Sequence, residues 1–322
     1  MRIQTVPIEQ AEGHLLVHNA VDGEGRKVVA KGTRLGPSHV AVLRQVGLTA
    51  VDVAVLEPDD VHEDEAARLL AEAVATAHVE VTRSAGGRVN LHTTVRGVLH
   101  VDAGRLLAFN ELPGITLATR PPHTVVGPER GESRVATLKI IPYAVPKRVL
   151  DEAIRLAPGL IEVRPLPARR VALLITGDPA AHARLRRQFE PPTRARVERV
   201  GSELATVEAV PFDEGAIAAA VQRLLASHDM LIVAGQTSVM DEHDVIPRAL
   251  RAAGATFELH GAPVEPGNLL ALAYAPGKPI LCAPGCARSP AHNVVDMVLP
   301  RLLAGERLGR REIAALGLGG LL

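Results

Sequence analysis

The sequence predicts an α/β protein: a doubly wound, mostly parallel sheet preceded by a small α/β segment and a β-rich domain. Three observations predict it. From 168 to 305, short apolar runs alternate with helical patterns. Between 78 and about 142 the period falls to two, punctuated by Gly-Gly, Arg-Gly and Ala-Gly turns. In the last part, apolar runs end in glycine-containing loops, as strands do when they deliver loops to a ligand. The expected division is 1–77, 78–150, 151–306 and a tail, 307–322.

The first segment opens with a Lys31-Gly32-Thr33 turn. Pro37-Ser38 starts a helix whose apolar face is Val40, Leu43 and Val46, and Gly47 ends it. TAVDVAVL alternates as a strand should. EPDDVHEDEAARLLAEAVATA reads as a helix whose carboxylates complement the macrodipole at its N-terminus; a clustered metal site is the alternative. The β-rich part then reads as short antiparallel strands through RVATLKIIPYAV, and VPKRVLDEAIRLA as a helix leading out of it.

The last domain is read as follows. VALLITG is a buried strand, Pro179 to Phe189 a helix, and Ala205 to Val210 a strand. Asp213 caps a helix through Leu225, and Asp229 to Ala234 is a strand. Asp244 opens a helix to about Ala253, Thr256 to His260 and Pro279 to Ala283 are strands, and a helix runs from Ser289 to Leu303.

Composition bounds the function. The 322 residues carry 36 basic and 36 acidic side chains, so bulk charge makes no case for nucleic acid or an anionic membrane. Trp is absent and aromatics are few, which argues against stacking platforms for single strands. Cys282 and Cys286 share one loop and supply neither a disulfide scaffold nor paired zinc spacing. No apolar run nears the ~20 residues of a membrane span. MRIQTVPIEQAEGHL lacks the layout of a signal peptide, so a cytoplasmic protein is expected.

Three constellations could carry chemistry. In the first, Gly177 and Asp178 precede Pro179; Asp178 either caps the helix or contacts a ligand or metal. In the second, Gly235 lets backbone approach a bound group, Gln236 follows, and Thr237 and Ser238 offer hydroxyls to a phosphate. Asp241 and Asp244 come next; Asp244 either caps a helix or holds Mg²⁺ beside a diphosphate. The third comprises Pro266, Gly267 and Asn268, then Pro284, Gly285, Arg288 and Ser289. Pro-Gly pairs make tight turns whatever their use. Arg288 is either solvated or a bidentate anion ligand, and Ser289 is the expected N-cap. Cys286 has no visible positioned base and is not read as a nucleophile.

These pieces together resemble the molybdopterin-binding domain family of molybdenum-cofactor biosynthesis, which includes molybdopterin adenylyltransferases and molybdotransferases. The matching stretches are Thr176-Gly177-Asp178, Gly235-Gln236-Thr237-Ser238, Asp244-Val245-Ile246-Pro247, Glu265-Pro266-Gly267-Asn268 and Ala283-Pro284-Gly285-Cys286. KGTRLGPSHVAVLRQVG is similar to an N-terminal segment of the insertases. APGCARSP and DVIP look closest to a bacterial subgroup often fused to a nucleotidyltransferase resembling molybdenum cofactor cytidylyltransferases.

The resemblance implies a molybdopterin ligand, or its nucleotide form, with Mg²⁺ at Asp244. It also implies a transferase or a carrier and a homodimer, with a nucleotidyltransferase or molybdoenzyme as a possible partner. It departs from the family pattern at Gln236, where the family has glycine, and at Glu265 and Asn268, where the family has two lysines. The resemblance assigns those lysines to molybdate, and a carboxylate there repels an oxyanion. Three readings follow: an enzyme of cofactor maturation, a non-catalytic carrier, and a nucleotide-acting protein of the competence-damage-inducible type.

Overall fold

A computed structural model describes residues 1–83, 86–129 and 131–322, without the side chain of Arg83. Ser84 and Ala85, just before the expected Gly-Gly turn, and Arg130, in the expected β stretch, lie outside the described residues. The chain folds as two compact units, Met1–Val163 and Arg164–Leu322.

In the first unit, strand Ala50–Val55 pairs antiparallel with Arg2–Pro7 and with Leu15–Leu16. Helix Pro37–Gln45 carries Leu43 into a core with Val6, Ile8, Leu35 and Val53. Helix Glu63–Val74 begins later than the carboxylate run suggests, because Asp60–His62 is a short strand. Glu63, Asp64 and Glu65 occupy its first turn, where the macrodipole favours acids. Glu63 is buried and takes the Lys139 ammonium at 2.8 Å. The helix buries Ala66, Leu70 and Val74 in one core with Leu91, Leu117 and Leu138. Those leucines line one face of a four-stranded antiparallel sheet ordered Ile115–Thr119, Arg134–Ile140, Arg88–Thr93, Val79–Arg83.

The stretch expected to be all strand contains a helix, Ala103–Asn110. Asp102 starts it: its carboxylate accepts the Arg105 N–H at 3.0 Å and so removes one orphan donor. The expected exit helix is Lys147–Leu156.

The second unit is built on a six-stranded sheet. Its order is Glu203–Val210, Arg170–Thr176, Met230–Gly235, Lys278–Cys282, Ala271–Ala275, Thr256–His260. The first four run parallel; Ala271–Ala275 runs opposite to them, and Thr256–His260, antiparallel to Ala271–Ala275, runs with the first four, so the sheet is mostly parallel, as expected. Its central strands are buried along their length, which their unbroken runs of Val, Leu and Ile require.

Strand Ala271–Ala275, absent from the sequence reading, is fully buried between two neighbours. Helix His182–Arg199 runs ten residues past the expected end, through Pro191 and Pro192. Glu190 takes Arg186 and Arg194, each four residues away, across the proline step. Helix Glu214–Ser227 is capped as expected: the Asp213 carboxylate accepts the Ala216 N–H at 2.9 Å. The last long helix is Val294–Leu303, and its N-cap is Asn293 rather than Ser289.

Candidate functional site

The carboxyl ends of the parallel strands set the geometry. Thr176 and Gly235 are directly paired in register, so the two following turns lie side by side. The Gln236 N–H donates to Thr176 O at 3.0 Å, and the Asp178 N–H donates to Gln236 Oε1 at 3.2 Å. Gln236, at the position where the family pattern has glycine, thus ties the first turn to the second. Asp178 behaves as a cap: Oδ1 accepts the Ala180 N–H at 2.8 Å, while the residue stays exposed.

Gly235 is required by close approach. A Cβ there would sit 2.4 Å from Thr176 Oγ1 and 3.0 Å from Thr176 O. The Thr176 hydroxyl is wholly buried and finds no partner among the described residues. Buried hydroxyls are ordinarily paired, so this orphan beneath a glycine loop is an exception.

A third loop closes on the first two. The Gly285 N–H donates to Ser238 Oγ at 3.1 Å, and Arg288 Nη2 donates to Gly235 O at 3.3 Å. The Arg288 guanidinium lies over the Phe189 ring, 4.8 Å from its centroid, in a cation–π contact. Its Nε is buried without a partner among the described residues. Arg288 is therefore no freely solvated side chain. Thr237 is exposed in the loop that follows Gly235.

The sequence reading missed what holds the third loop. Arg196 is only 4% exposed. It donates to the carbonyls of Ala287, Ser289 and Ala291 at 3.0, 2.7 and 2.9 Å, and to Asp296 Oδ2 at 3.1 Å. Asp296 also takes Arg199 at 2.5 Å. Burial pushes the Asp296 carboxyl up, but the two guanidinium groups outweigh it and hold it below its ordinary value of 3.8. Asp296 also accepts the Asn293 N–H at 3.0 Å, while Asn293 Oδ1 accepts the Val295 N–H at 3.0 Å. That reciprocal cap fixes the helix start after Asn293. Ser289 Oγ instead accepts the Ala291 N–H at 3.1 Å, forming a local turn.

Asp244 stands at the N-cap of helix Val245–Ala252, but its carboxylate does not cap it. Oδ2 turns back to accept the Met240 N–H at 2.6 Å and the Asp241 N–H at 3.3 Å. Asp241 Oδ1 accepts the His243 N–H at 2.6 Å. Among the described residues neither aspartate belongs to a set of three converging ligands. A Mg²⁺ ion here would be held by Asp244 Oδ1, water and the oxygens of a phosphorylated ligand, a donor set that magnesium accepts.

Pro266, Gly267 and Asn268 are placed differently. Pro266 O accepts the Val294 N–H at 3.3 Å, and a Cβ on Gly267 would meet Val294 Cγ1 at 2.3 Å. This loop packs on the start of the last helix; among the described residues no hydrogen bond joins it to Gly235–Ser238. Glu265 and Asn268 are exposed.

Burial raises both thiols: Cys282 is pushed up to about 12, and Cys286 is shifted the same way. Neither supplies a thiolate near neutral pH.

Residues 172–304 match the family described as "Probable molybdopterin binding domain", a span that contains every candidate residue above. No curated protein matches. Among solved structures, the chain is similar to a molybdenum cofactor biosynthesis protein from Pyrococcus furiosus, with 14% identity and a TM-score of 0.27; the match covers 98% of this chain. It spans 65% of the length of that protein. It is also similar to the molybdopterin biosynthesis enzyme MoaB of Thermus thermophilus, with 20% identity and a TM-score of 0.33, over 43% of this chain and 98% of the other. A third is the molybdopterin biosynthesis MoeA protein of Pyrococcus horikoshii, with 13% identity and a TM-score of 0.31, over 94% and 75%. The second unit thus contains the segment, 172–304, that is similar to this family. No helix among the described residues is long and apolar enough to cross a membrane.

Proposed function

We propose that the protein binds molybdopterin or its nucleotide form during molybdenum-cofactor maturation. The observation that carries this reading is the convergence of three strand-end loops within the matched span, around two orphaned polar groups, Thr176 Oγ1 and Arg288 Nε. A phosphate is the natural partner: Thr237 and Ser238 offer hydroxyls, and Arg288 supplies positive charge. Asp244 would hold Mg²⁺, with Asp241 beside it; the metal would neutralise phosphate charge when bound.

The expectations of a homodimer, a cytoplasmic setting and a nucleotidyltransferase or molybdoenzyme partner belong to this proposal. Glu265 and Asn268 favour a second reading of the same site, a carrier that holds the cofactor without inserting molybdate, since an exposed carboxylate disfavours an oxyanion. Product analysis separates the two. The purified protein is incubated with molybdopterin, Mg²⁺ and either ATP, CTP or molybdate. A new pterin species makes it an enzyme and names the reaction; bound but unchanged pterin makes it a carrier. Failure to bind any pterin form removes both.

A further inference from the structure

We propose that the outer face of the antiparallel sheet in the first unit is a binding site for a small polyphosphate-type anion. This inference is independent of the pterin reading. The sheet has two unlike faces. One buries Leu91, Leu117 and Leu138 in the core. The other carries a row of short side chains in register, Ala118 beside Thr137 beside Asn90. That row floors an open groove of about 410 Å³, within the size range of ligand sites.

Charge stands at both ends of the row. Arg88 lies two residues before Asn90 on the same face, and Arg120 and Arg134 line the other end. Four residues of strand separate the two ends, roughly 13 Å at the usual rise. Among the described residues that line it, none is acidic and none is aromatic. The groove thus suits the charge of a di- or triphosphate chain and offers no stacking surface for a base.

Two local features fix the donors. A register shift between Arg134 and Ala136 bends the strand, the kind of irregularity that re-aims a side chain beside a site. Arg120 pins that bend: Nε donates to Arg134 O at 2.8 Å and Nη2 to Gly131 O at 2.5 Å. On the floor, the Thr137 hydroxyl donates to Asn90 Oδ1 at 2.8 Å, which leaves the Asn90 NH₂ as a donor. A groove whose described lining offers donors and cations is complementary to an oxyanion chain.

The test is calorimetric titration of the full chain with sodium tripolyphosphate at low salt. It is run in an Arg288→Ala background, so that an anion held at the strand-end loops does not mask the groove. The proposal expects saturable binding that weakens with added salt. It should weaken at least tenfold in Arg88→Ala/Arg134→Ala and recover in part in Arg88→Lys/Arg134→Lys. Both arginines are exposed, and Arg88→Glu alone serves as a second variant should the bend at Arg134 be disturbed. Absence of binding, or equal binding with the arginines removed, overturns the proposal. Tighter binding of poly-glutamate than of tripolyphosphate overturns it in favour of an acidic-peptide surface. Pterin binding is measured separately with Arg288 intact, so either reading fails without the other.

Discussion

Two loops of the second unit start from similar turn chemistry and end in different places. Gly235–Ser238 follows a buried parallel strand, and its neighbours converge on it: Asp178 through Gln236, Gly285 through Ser238, Arg288 through the Gly235 carbonyl. Glu265–Asn268 also holds a glycine no other residue fits, yet Gly267 is pressed on Val294 and the flanking side chains face solvent. The difference teaches that a glycine which forbids a side chain is not by itself a ligand cradle. What marks the first loop is polar groups left without partners among the described residues beside the glycine, Thr176 Oγ1 and Arg288 Nε.

The largest way to break the comparison is Arg196→Ala. It leaves Asp296 half-paired in a buried site and three loop carbonyls without their donor. Chemical denaturation should show a loss of about 3 kcal/mol, and pterin affinity should fall with the loop that carries Arg288. The same pair has a pH signature. Its carboxyl sits below 3.8 in the folded state, so its contribution is present above that value and is lost as pH falls through the folded value. Asp296→Asn should therefore be less stable than wild type at neutral pH and lose less stability on acidification below about pH 4.

Next in size is Gly235→Ala, whose methyl would overlap Thr176. Overpacking of about 1–3 kcal/mol is expected in thermal unfolding, with pterin binding weakened by at least tenfold. Asp244→Asn is smaller and conditional. Binding measured with Mg²⁺ should drop by roughly tenfold, about 1.4 kcal/mol, and binding without Mg²⁺ should not change. Equal binding in both conditions would remove Asp244 from the site.

The smallest effect sharpens the other side. Glu265→Lys/Asn268→Lys replaces an exposed acid and amide with two cations. Molybdate affinity of the pterin-loaded protein should rise about fivefold, since solvent-exposed charges are worth ~1 kcal/mol or less. No change would mean that this loop does not face the ligand.

How much of this was legible in sequence depends on the range of the interactions. Apolar runs such as LIVAG and ALLIT announce buried parallel strands directly. The strand Ala271–Ala275 was missed because alanine carries little strand preference, and only its neighbours in the sheet make it one. Helix Ala103–Asn110 was missed because period-two apolar spacing on either side masked the Asp102 cap. The helix expected to stop at Phe189 continues, because the Arg186–Glu190–Arg194 ladder carries it across Pro191-Pro192.

At the site, glycines and hydroxyls were visible because their spacing within each loop is local. Arg196 was not, because its partners lie about a hundred residues away in sequence. Ser289 was read as a cap on residue type alone; Asn293 wins because Asp296 completes a reciprocal cap.

The central claim is that the converging strand-end loops bind a pterin phosphate. Its most direct test is an equilibrium titration of molybdopterin into the full chain and into Ser238→Ala/Arg288→Ala, each checked for folding by circular dichroism. The account predicts saturable binding to the parent and at least tenfold weaker binding to the folded variant. Equal affinity in the two proteins, or no binding to the parent, would contradict it.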